Sequence, residues 1–549
     1  MTMKKIPLGI DDYRALIKEC YYVDKTALIK EIIETPSESV LLFTRPRRFG
    51  KTLALSMVDT FFDAKIEDNA SYFVGTAIAG DLEAMKEAGC YPTIFLSFKD
   101  CHAMDFAEME EFVSAQIAEE YRRHDELRDF ADEDGSLKSY YDAFLKGGMA
   151  PSESASSLLN LTRMLRLCHG GSVVLLIDEY DTPIQSAYDN GFYPQAIHFM
   201  RRLYGLALKG NRNLRVAVTT GVTRIGKESI FSGLNNVIVS SVLDQRTGEF
   251  FGFTEEETKK LLDYYGLGDE LAKMKSYYDG YVFGSSLVFN PWSTLYCIRN
   301  EGRFDTYWAN TSSDKYIASV LEKNPDIVPL VTRLLNGEKV YAKLNENFAY
   351  GEEDMSNLLS LLVSTGYLTA VPDASTGFHF VTLPNLETKE LFARVALASR
   401  SGSALSSLLQ LKDAFIRGDV KAIGDYLNEE LLQAMSYFDF VDERNYQAMM
   451  LTFTSLLFRE MDVRSEMTAG TGRCDLWIRS RNKSLAVVIE LKKAKARASS
   501  ANLMAYAKSA LRQIEEKGYL NSAIGNYDHV VAFGMAFYKN TVQVVSKTY

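Results

Sequence analysis

Two kinds of apolar pattern alternate along the first part of the chain. Short continuous apolar runs occur at SVLLFT (39–44), YPTIFLSF (91–98), SVVLLID (172–178) and LRVAVTTG (214–221). The stretches between them have helical spacing, as in KTLALSMVDTFFD, where Leu53, Met57, Phe61 and Phe62 share one face. Residues 11–35 are amphipathic in the same sense. Continuous apolar strands alternating with helices predict a parallel sheet covered on both faces.

From about residue 250 the pattern changes. GFTEEETKKLLDYYG places Thr254 as a helix N-cap with Glu257 three residues on, a capping box. Helical spacing then dominates to about residue 435, broken by a hairpin-like DASTGFHFVTL at 373–383. The last segment changes again. A helical stretch at 442–460 precedes strand-like RSEMTA, CDLWIRS and LAVVIELKK, then a helix at 500–517, then HVVAFGMAFY and VQVVSK, in the order αβββαββ. These shifts predict domains at 1–245, 246–435 and 436–549.

Composition narrows the class. A chain of 549 residues, 47% hydrophobic and 24% charged, is too long for one core and has the balance of a soluble globular protein. Its six cysteines stand far apart with no CxxC or Cys/His cluster, which argues against a disulfide framework or a zinc site. The start MTMKKIPLGIDDYR has no apolar core of a secretory signal, and no apolar run is long enough to span a membrane. A cytoplasmic protein is the expectation. The net charge of -11 speaks against nucleic acid as a partner, but the charge is uneven. Residues 440–549 hold about 16 Lys and Arg against about 10 Asp and Glu.

The stretch TRPRRFGKTLAL (44–55) ends like a phosphate-binding loop, G-x-x-x-x-G-K-[ST], but Arg45 stands where the first glycine belongs. A strand–loop–helix unit here would gather the backbone N–H groups of Arg48, Phe49, Gly50, Lys51 and Thr52 at a helix N-terminus, where an anion is favoured. Lys51 would reach the β/γ-phosphates of ATP and Thr52 would bind Mg²⁺ through its hydroxyl. Lys-Thr after Gly is common by chance. The second signal is VVLLIDEYD, an apolar strand ending in Asp178 and Glu179, placed to hold Mg²⁺ and to orient an attacking water. The plainer alternatives are a solvated helix-start lysine and a charged strand end. Arg45, with Arg47 and Arg48, raises the question of turnover: arginines in the loop contact phosphate, or face solvent or DNA.

The C-terminal segment carries a second constellation. Asp475 lies near the start of one strand and Glu490 near the end of the next, with Lys492 two residues on and therefore on the same face. Two carboxylates beside a lysine make a Mg²⁺ (or Mn²⁺) site able to cut phosphodiesters without a covalent intermediate. The plainer alternative is a strand end flanked by solvated charges. The run Lys492, Lys493, Lys495, Arg497 can track a phosphate backbone, and nothing suggests reading of base edges.

The segments YVDKTALIKEII, LLFTRPRRFGKTL, LLIDEYDTPI, TTGVTRIGKESIFSGLNN, YYDGYVFG, FNPWS and YWANTS, in that order, resemble the bacterial AAA-ATPase-like family. Its members often carry a C-terminal PD-(D/E)XK nuclease domain, and in it the first loop glycine is characteristically replaced. The resemblance covers nearly the whole chain. It implies an α/β protein: a P-loop NTPase (AAA-like) parallel-sheet domain, a helical lid or winged-helix-like middle region, and a C-terminal αβββαβ restriction-endonuclease-like domain. It implies ATP at Gly50, Lys51 and Thr52, with Asp178 and Glu179 handling Mg²⁺ or water. Thr220 and Arg224 fall where such ATPases sense the γ-phosphate, and Tyr22–Thr26 where the base would lie. Asp475, Glu490 and Lys492 become the nuclease set, Glu443 a further metal ligand, and Gln513 and Tyr519 the partner-helix motif. Oligomerisation is an expectation by analogy.

Two functions are therefore set against each other. One is an ATP-controlled, metal-dependent nuclease acting on DNA or RNA, with DNA favoured. The other is a nucleotide-dependent regulatory or interaction protein whose nuclease-like domain binds DNA or a partner without cutting. A third, a motor or translocase, is weaker, since no arginine finger can be identified and the altered loop puts hydrolysis itself in question. The aromatic, glycine-rich YYDGYVFGSSLVFNPWS reads as core, with no role derivable from sequence.

Overall fold

The computed structural model describes residues 3–130, 135–147, 149–225, 234–308, 324, 327–335, 338–345, 354–398, 404–431, 446–447, 450–451, 453–454, 457–458, 461–480, 482–494, 500–539 and 541–549. The chain divides into two compact units, residues 1–308 with 341–385, and residues 309–340 with 386–549.

The first unit is built on a parallel sheet of five strands: β1 (Ser39–Thr44), β2 (Thr93–Ser97), β3 (Val173–Asp178), β4 (Leu214–Gly221) and β5 (Val237–Ser240), in the order β2-β3-β4-β1-β5. β1 and β3 are buried along their whole length, because helices cover both faces and no residue of these apolar runs meets water. Val40, Leu42, Ile94, Leu96, Leu175 and Ile177 form one core with Met109, Val113, Ile117, Leu203 and Tyr204 from flanking helices. From β1 the chain crosses to one side of the sheet, and from β4 it returns to pair β5 on the other side of β1. The carboxyl ends of β1 and β4 thus lie at a topological switch point, where open α/β sheets bind ligands. β5 is an element that the apolar pattern does not reveal, since VIVS is only four residues long and half-buried.

The expected capping box is present. Thr254 Oγ1 accepts from the Glu257 N–H at 3.3 Å, Glu257 Oε2 accepts from the Thr254 N–H at 2.7 Å, and the helix runs Glu255–Tyr264. The hairpin-like stretch forms antiparallel strands Thr369–Pro372 and His379–Thr382. A second small hairpin, Tyr281–Phe283 with Ser286–Val288, lies inside YYDGYVFGSSLV.

The second unit holds a mixed sheet of β6 (Asp462–Ala469), β7 (Gly472–Arg479), β8 (Ala486–Lys493), β9 (Val530–Tyr538) and β10 (Thr541–Thr548), paired in that order. Only β8 and β9 run parallel, and the crossover between them is the helix Ser500–Glu516. On β8, Val487, Ile489 and Leu491 face one core with Phe415, Phe453, Phe458 and Phe533. Val488 belongs to the opposite face with Ile514, and Glu490 and Lys492 continue that face by the period of two. The described residues between 446 and 457 are helical, so the described elements follow the αβββαββ order.

Gly534 sits beside Glu490 in the β8–β9 register, and a Cβ there would lie 2.2 Å from Ala507 O and 2.5 Å from Leu511 N. The glycine lets the 500–516 helix lie directly on the sheet. Gly534→Ala should force that helix outward and destabilise the C-terminal unit by roughly 1–3 kcal/mol. Calorimetry on the full chain tests this: an unshifted transition for that unit would refute the close-approach argument.

Candidate functional sites

The loop after β1 leads into α1 (Lys51–Phe62). Its left-handed residues are Arg48 (φ 70°) and Gly50 (φ 83°), while Arg45 has no positive φ. The tight bend therefore does not fall where the first glycine would stand. Arg45 also faces neither phosphate nor solvent, contrary to the expectation from its charge. Its side chain is 0% exposed and donates to Thr44 O (2.8 Å), Ser240 O (2.7 Å), Ser240 Oγ (3.1 Å), Thr247 O (3.1 Å) and Thr247 Oγ1 (3.0 Å). Burial pulls its pKa down to about 9.

Phe49 is buried against Tyr281 and Phe283, so only its backbone faces the loop's interior. The exposed Arg48 lays its guanidinium 4.0 Å from the Trp292 ring centre, a cation–π contact. YYDGYVF and FNPWS thus supply the walls that hold the loop, which composition alone could not show.

Lys51 is 4% exposed, and its ammonium donates to Arg45 O (3.1 Å) and Pro46 O (3.0 Å). Among the described residues no carboxylate lies within ion-pair distance of it. Desolvation lowers its pKa, while Glu179, Asp178 and Asp181 act on it from further away. A buried cation whose direct hydrogen bonds go only to carbonyl oxygens, at the N-terminus of a twelve-residue helix, favours an anion.

Asp178, at the end of β3, gathers the neighbouring elements. Its Oδ2 accepts from Thr52 Oγ1 (2.7 Å) and from Ser97 Oγ (3.5 Å), and its Oδ1 accepts from Thr220 Oγ1 (2.6 Å). Burial raises its pKa, against the hydroxyl donors and Lys51. Glu179 follows in a left-handed conformation, φ 50°, which costs a non-glycine residue about 1–2 kcal/mol. Such strain is held where surroundings over-determine it.

The next two residues, which the motif reading passed over, clamp the segment after β4. Asp181 Oδ2 accepts from the N–H groups of Val222 (3.0 Å) and Thr223 (2.9 Å), and Tyr180 Oη donates to Thr223 O (2.7 Å). Gly221 admits this contact, since a Cβ there would lie 2.6 Å from the Tyr180 ring. Half-buried Arg224 leaves from the clamped segment. The signal for both residues was present in LIDEYDTPI, but an aromatic and a third acid beside Asp178-Glu179 have no spacing rule. Tyr22–Thr26 is tied into the fold: Lys25 pairs with Glu257 at 2.7 Å and Asp24 Oδ1 accepts from Thr26 Oγ1 at 2.7 Å.

In the second unit, the antiparallel register that pairs Leu476 with Ile489 brings Asp475 opposite Glu490 at its next step. Asp475 Oδ2 accepts from the Leu491 N–H at 2.7 Å, and Glu490 Oε2 from the Asp475 N–H at 3.4 Å. Gln513, from the 500–516 helix, donates through Nε2 to Glu490 Oε1 and accepts from Lys492 Nζ at 2.7 Å. Tyr519 is buried and bonded to Gln513, and desolvation, then the nearby carboxylates, raise its pKa. Asp475, Glu490, Lys492, Gln513 and Tyr519 are therefore together. Glu443, Lys495 and Arg497 lie outside the described residues.

Two carboxylates on adjacent strands are the hard oxygen donors that Mg²⁺ or Mn²⁺ prefers, so this donor set fits such an ion. No cluster of three or more His, Cys, Asp and Glu side chains occurs among the described residues. No described helix is long and apolar enough to cross a membrane.

Comparison with known proteins matches the two parts of the chain to separate families. Residues 7–231 match the family described as predicted AAA-ATPase, AAA-ATPase-like, and residues 441–547 match the PD-(D/E)XK nuclease superfamily. A protein of Azotobacter chroococcum mcd 1, described as an uncharacterized protein in vnfD 5'region, is 24% identical over 571 residues. That similarity covers 99% of this chain and 98% of the relative.

The electrostatics of Asp178 give a signed expectation. Because burial raises its pKa above 3.8, the fold favours the neutral acid, and wild-type stability falls as pH rises through the shifted value. Asp178→Asn carries no charge to bury. It should raise the melting temperature at pH 7.5, with the increment shrinking toward pH 4. An unchanged or lower melting temperature at pH 7.5 would show that the hydroxyl donors outweigh desolvation.

Proposed function

Because the chain joins an AAA-ATPase-like domain to a PD-(D/E)XK nuclease superfamily domain, we propose that it is an ATP-binding, metal-dependent nuclease controlled by nucleotide state. The observation that carries this reading is the convergence of Asp475, Glu490, Lys492 and Gln513 on neighbouring strands and the 500–516 helix. A structural strand end would not need a nearly buried carboxylate beside a lysine held by the same amide.

At the C-terminal centre, Asp475 and Glu490 would hold Mg²⁺ or Mn²⁺, with Glu443 a further candidate. When bound, the ion supplies Lewis-acid stabilisation of charge building on a scissile phosphate and lowers the pKa of water. Gln513 fixes the Glu490 carboxylate and the Lys492 ammonium relative to each other. Lys492 orients the attacking water and stabilises the charge it develops. The substrate class is nucleic acid, with DNA favoured, gripped through its backbone and not by base edges.

At the N-terminal centre, Lys51 would exchange its two carbonyl contacts for the β/γ-phosphate oxygens of ATP, and the N–H groups of residues 48–52 would line the phosphates. Thr52 and Asp178, already joined by a hydrogen bond, would hold Mg²⁺ between them. Glu179 would orient water, and Thr220 and Arg224 would report the γ-phosphate, since Thr220 is bonded to Asp178 and Arg224 follows on the clamped segment.

Cleavage of supercoiled, linear and single-stranded DNA and of RNA, with Mg²⁺ or Mn²⁺ and with or without ATP, tests both centres. Glu490→Ala should abolish cleavage, and Lys492→Met should slow it about 100-fold. Lys51→Ala should weaken ATP binding by about 2 kcal/mol or more and remove any ATP dependence of cleavage. ATP binding by wild type with no cleavage of any substrate would instead favour a regulatory protein whose nuclease-like domain only binds.

A further inference from the structure

The first position of a phosphate loop is ordinarily given to glycine, for backbone freedom. Here the bend falls on Arg48 and Gly50, so position 45 is released from that demand. It is filled by the largest charged side chain, completely buried, which must be explained by what the side chain touches.

Arg45 touches most elements that border the loop. Its N–H donates to Gly221 O at the end of β4 (3.1 Å), and its carbonyl accepts from Lys51. The guanidinium forks onto the end of β1, the end of β5 at Ser240, and Thr247 beyond it. Its planar group lies over Phe251 (4.9 Å) and Phe283 (5.5 Å), and Phe283 also packs on Phe49 at the far end of the loop. Pro46 meets a further wall, since a Cβ on Gly366 would lie 2.8 Å from it. The loop is thus pinned at Arg45, Pro46 and Phe49, leaving Arg47, Arg48 and Gly50 exposed.

We propose that Arg45 is a positioning residue for the nucleotide loop: its guanidinium sets the loop's shape and links that shape to the 240–251 segment and the 281–288 hairpin. This rests on the reading of the loop as a nucleotide site. A lysine cannot replace it, because one ammonium cannot serve Ser240 and Thr247 in a plane while lying flat between two rings. The link makes the aromatic hairpin part of the nucleotide site's support, and any change in loop shape on phosphate binding reaches Ser240, Thr247 and Phe283 through one side chain.

The test compares full-length wild type with Arg45→Lys, Arg45→Met and the partner-side variant Thr247→Val. Hydrogen exchange of peptides covering 45–54 and trypsin cleavage after Arg47 and Arg48 report loop shape, and titration with Mg-ATP reports binding. Both Arg45 variants should speed loop exchange and weaken ATP about tenfold each, with the calorimetric transitions kept. Thr247→Val should move both readouts in the same direction by less. Wild-type loop exchange in Arg45→Met overturns the proposal. If Arg45→Met does not fold, unchanged exchange in Thr247→Val overturns it instead. Should wild type fail to bind ATP, the nucleotide reading falls, while loop exchange still decides whether Arg45 shapes the loop.

Discussion

Two buried cations without ion-pair partners govern the first unit. Arg45 and Lys51 stand six residues apart in one loop, both nearly inaccessible to water, and among the described residues neither is paired with a carboxylate. Carbonyl oxygens and hydroxyls are what offset them. Dipoles meet most of the donors, although Arg45 Nε is buried without a hydrogen-bond partner, and they do not cancel the charge, so burial still disfavours both ionised forms. A fold carries such an imbalance at little gain unless something else supplies the negative charge. Of the three acids that act on Lys51 from further away, Glu179, Asp178 and Asp181, Asp178 is engaged by hydroxyl donors and Asp181 by backbone N–H groups. On the proposed reading the phosphates of ATP would supply that negative charge, and Asp178 would meet the divalent cation that accompanies them.

Much of this was legible in the residues. The continuous apolar strands gave the α/β class, and the Gly-Lys-Thr loop, the acid pair ending VVLLIDEYD and the D…ExK pattern named the residues of both candidate centres. Each rests on a local rule: burial on both faces, helix N-terminal chemistry, or the period of two. What escaped was long-range. The sequence treats Arg45 as a loop charge, because only the folded chain brings Ser240, Thr247, Phe251 and Phe283 around it. Tyr180 and Asp181 escaped for the same reason, since their partners lie some forty residues on, in a segment without a motif. The YYDGYVFG stretch could be recognised but not explained until Phe283 was seen beneath Arg45 and Phe49. The short β5 escaped through weakness of signal, four half-buried residues being too few for a pattern.

The two centres solve one geometric problem alike. A strand must be approached by a group from another element so closely that only glycine leaves room for it. Gly221 admits Tyr180 and Asp181 in the first unit, and Gly534 admits the helix that carries Gln513 in the second. In each case the glycine has an ordinary, non-left-handed backbone, so its value is the missing Cβ and not conformational freedom. Glycine in a strand costs stability, and both strands carry it where a polar contact of the candidate site depends on proximity.

Carboxylates complete the argument. Asp178 and Glu490 are each buried below one-twentieth exposure, and the hydrogen bonds each accepts from described residues come from neutral donors, hydroxyls in one case and an amide with a backbone N–H in the other. Neutral donors orient a carboxylate without quenching it. A salt bridge would stabilise the empty fold better but would compete with an incoming cation for the same oxygens. Lys492 illustrates the distinction, for its ammonium is directed to Gln513 Oε1, and Gln513 in turn holds Glu490, so the lysine is kept near the acid through an amide. That arrangement leaves a positive charge available to substrate phosphate or water and a negative charge available to a metal ion. Reversing it, by pairing Lys492 directly with Glu490, would give a more stable strand end and a chemically silent one.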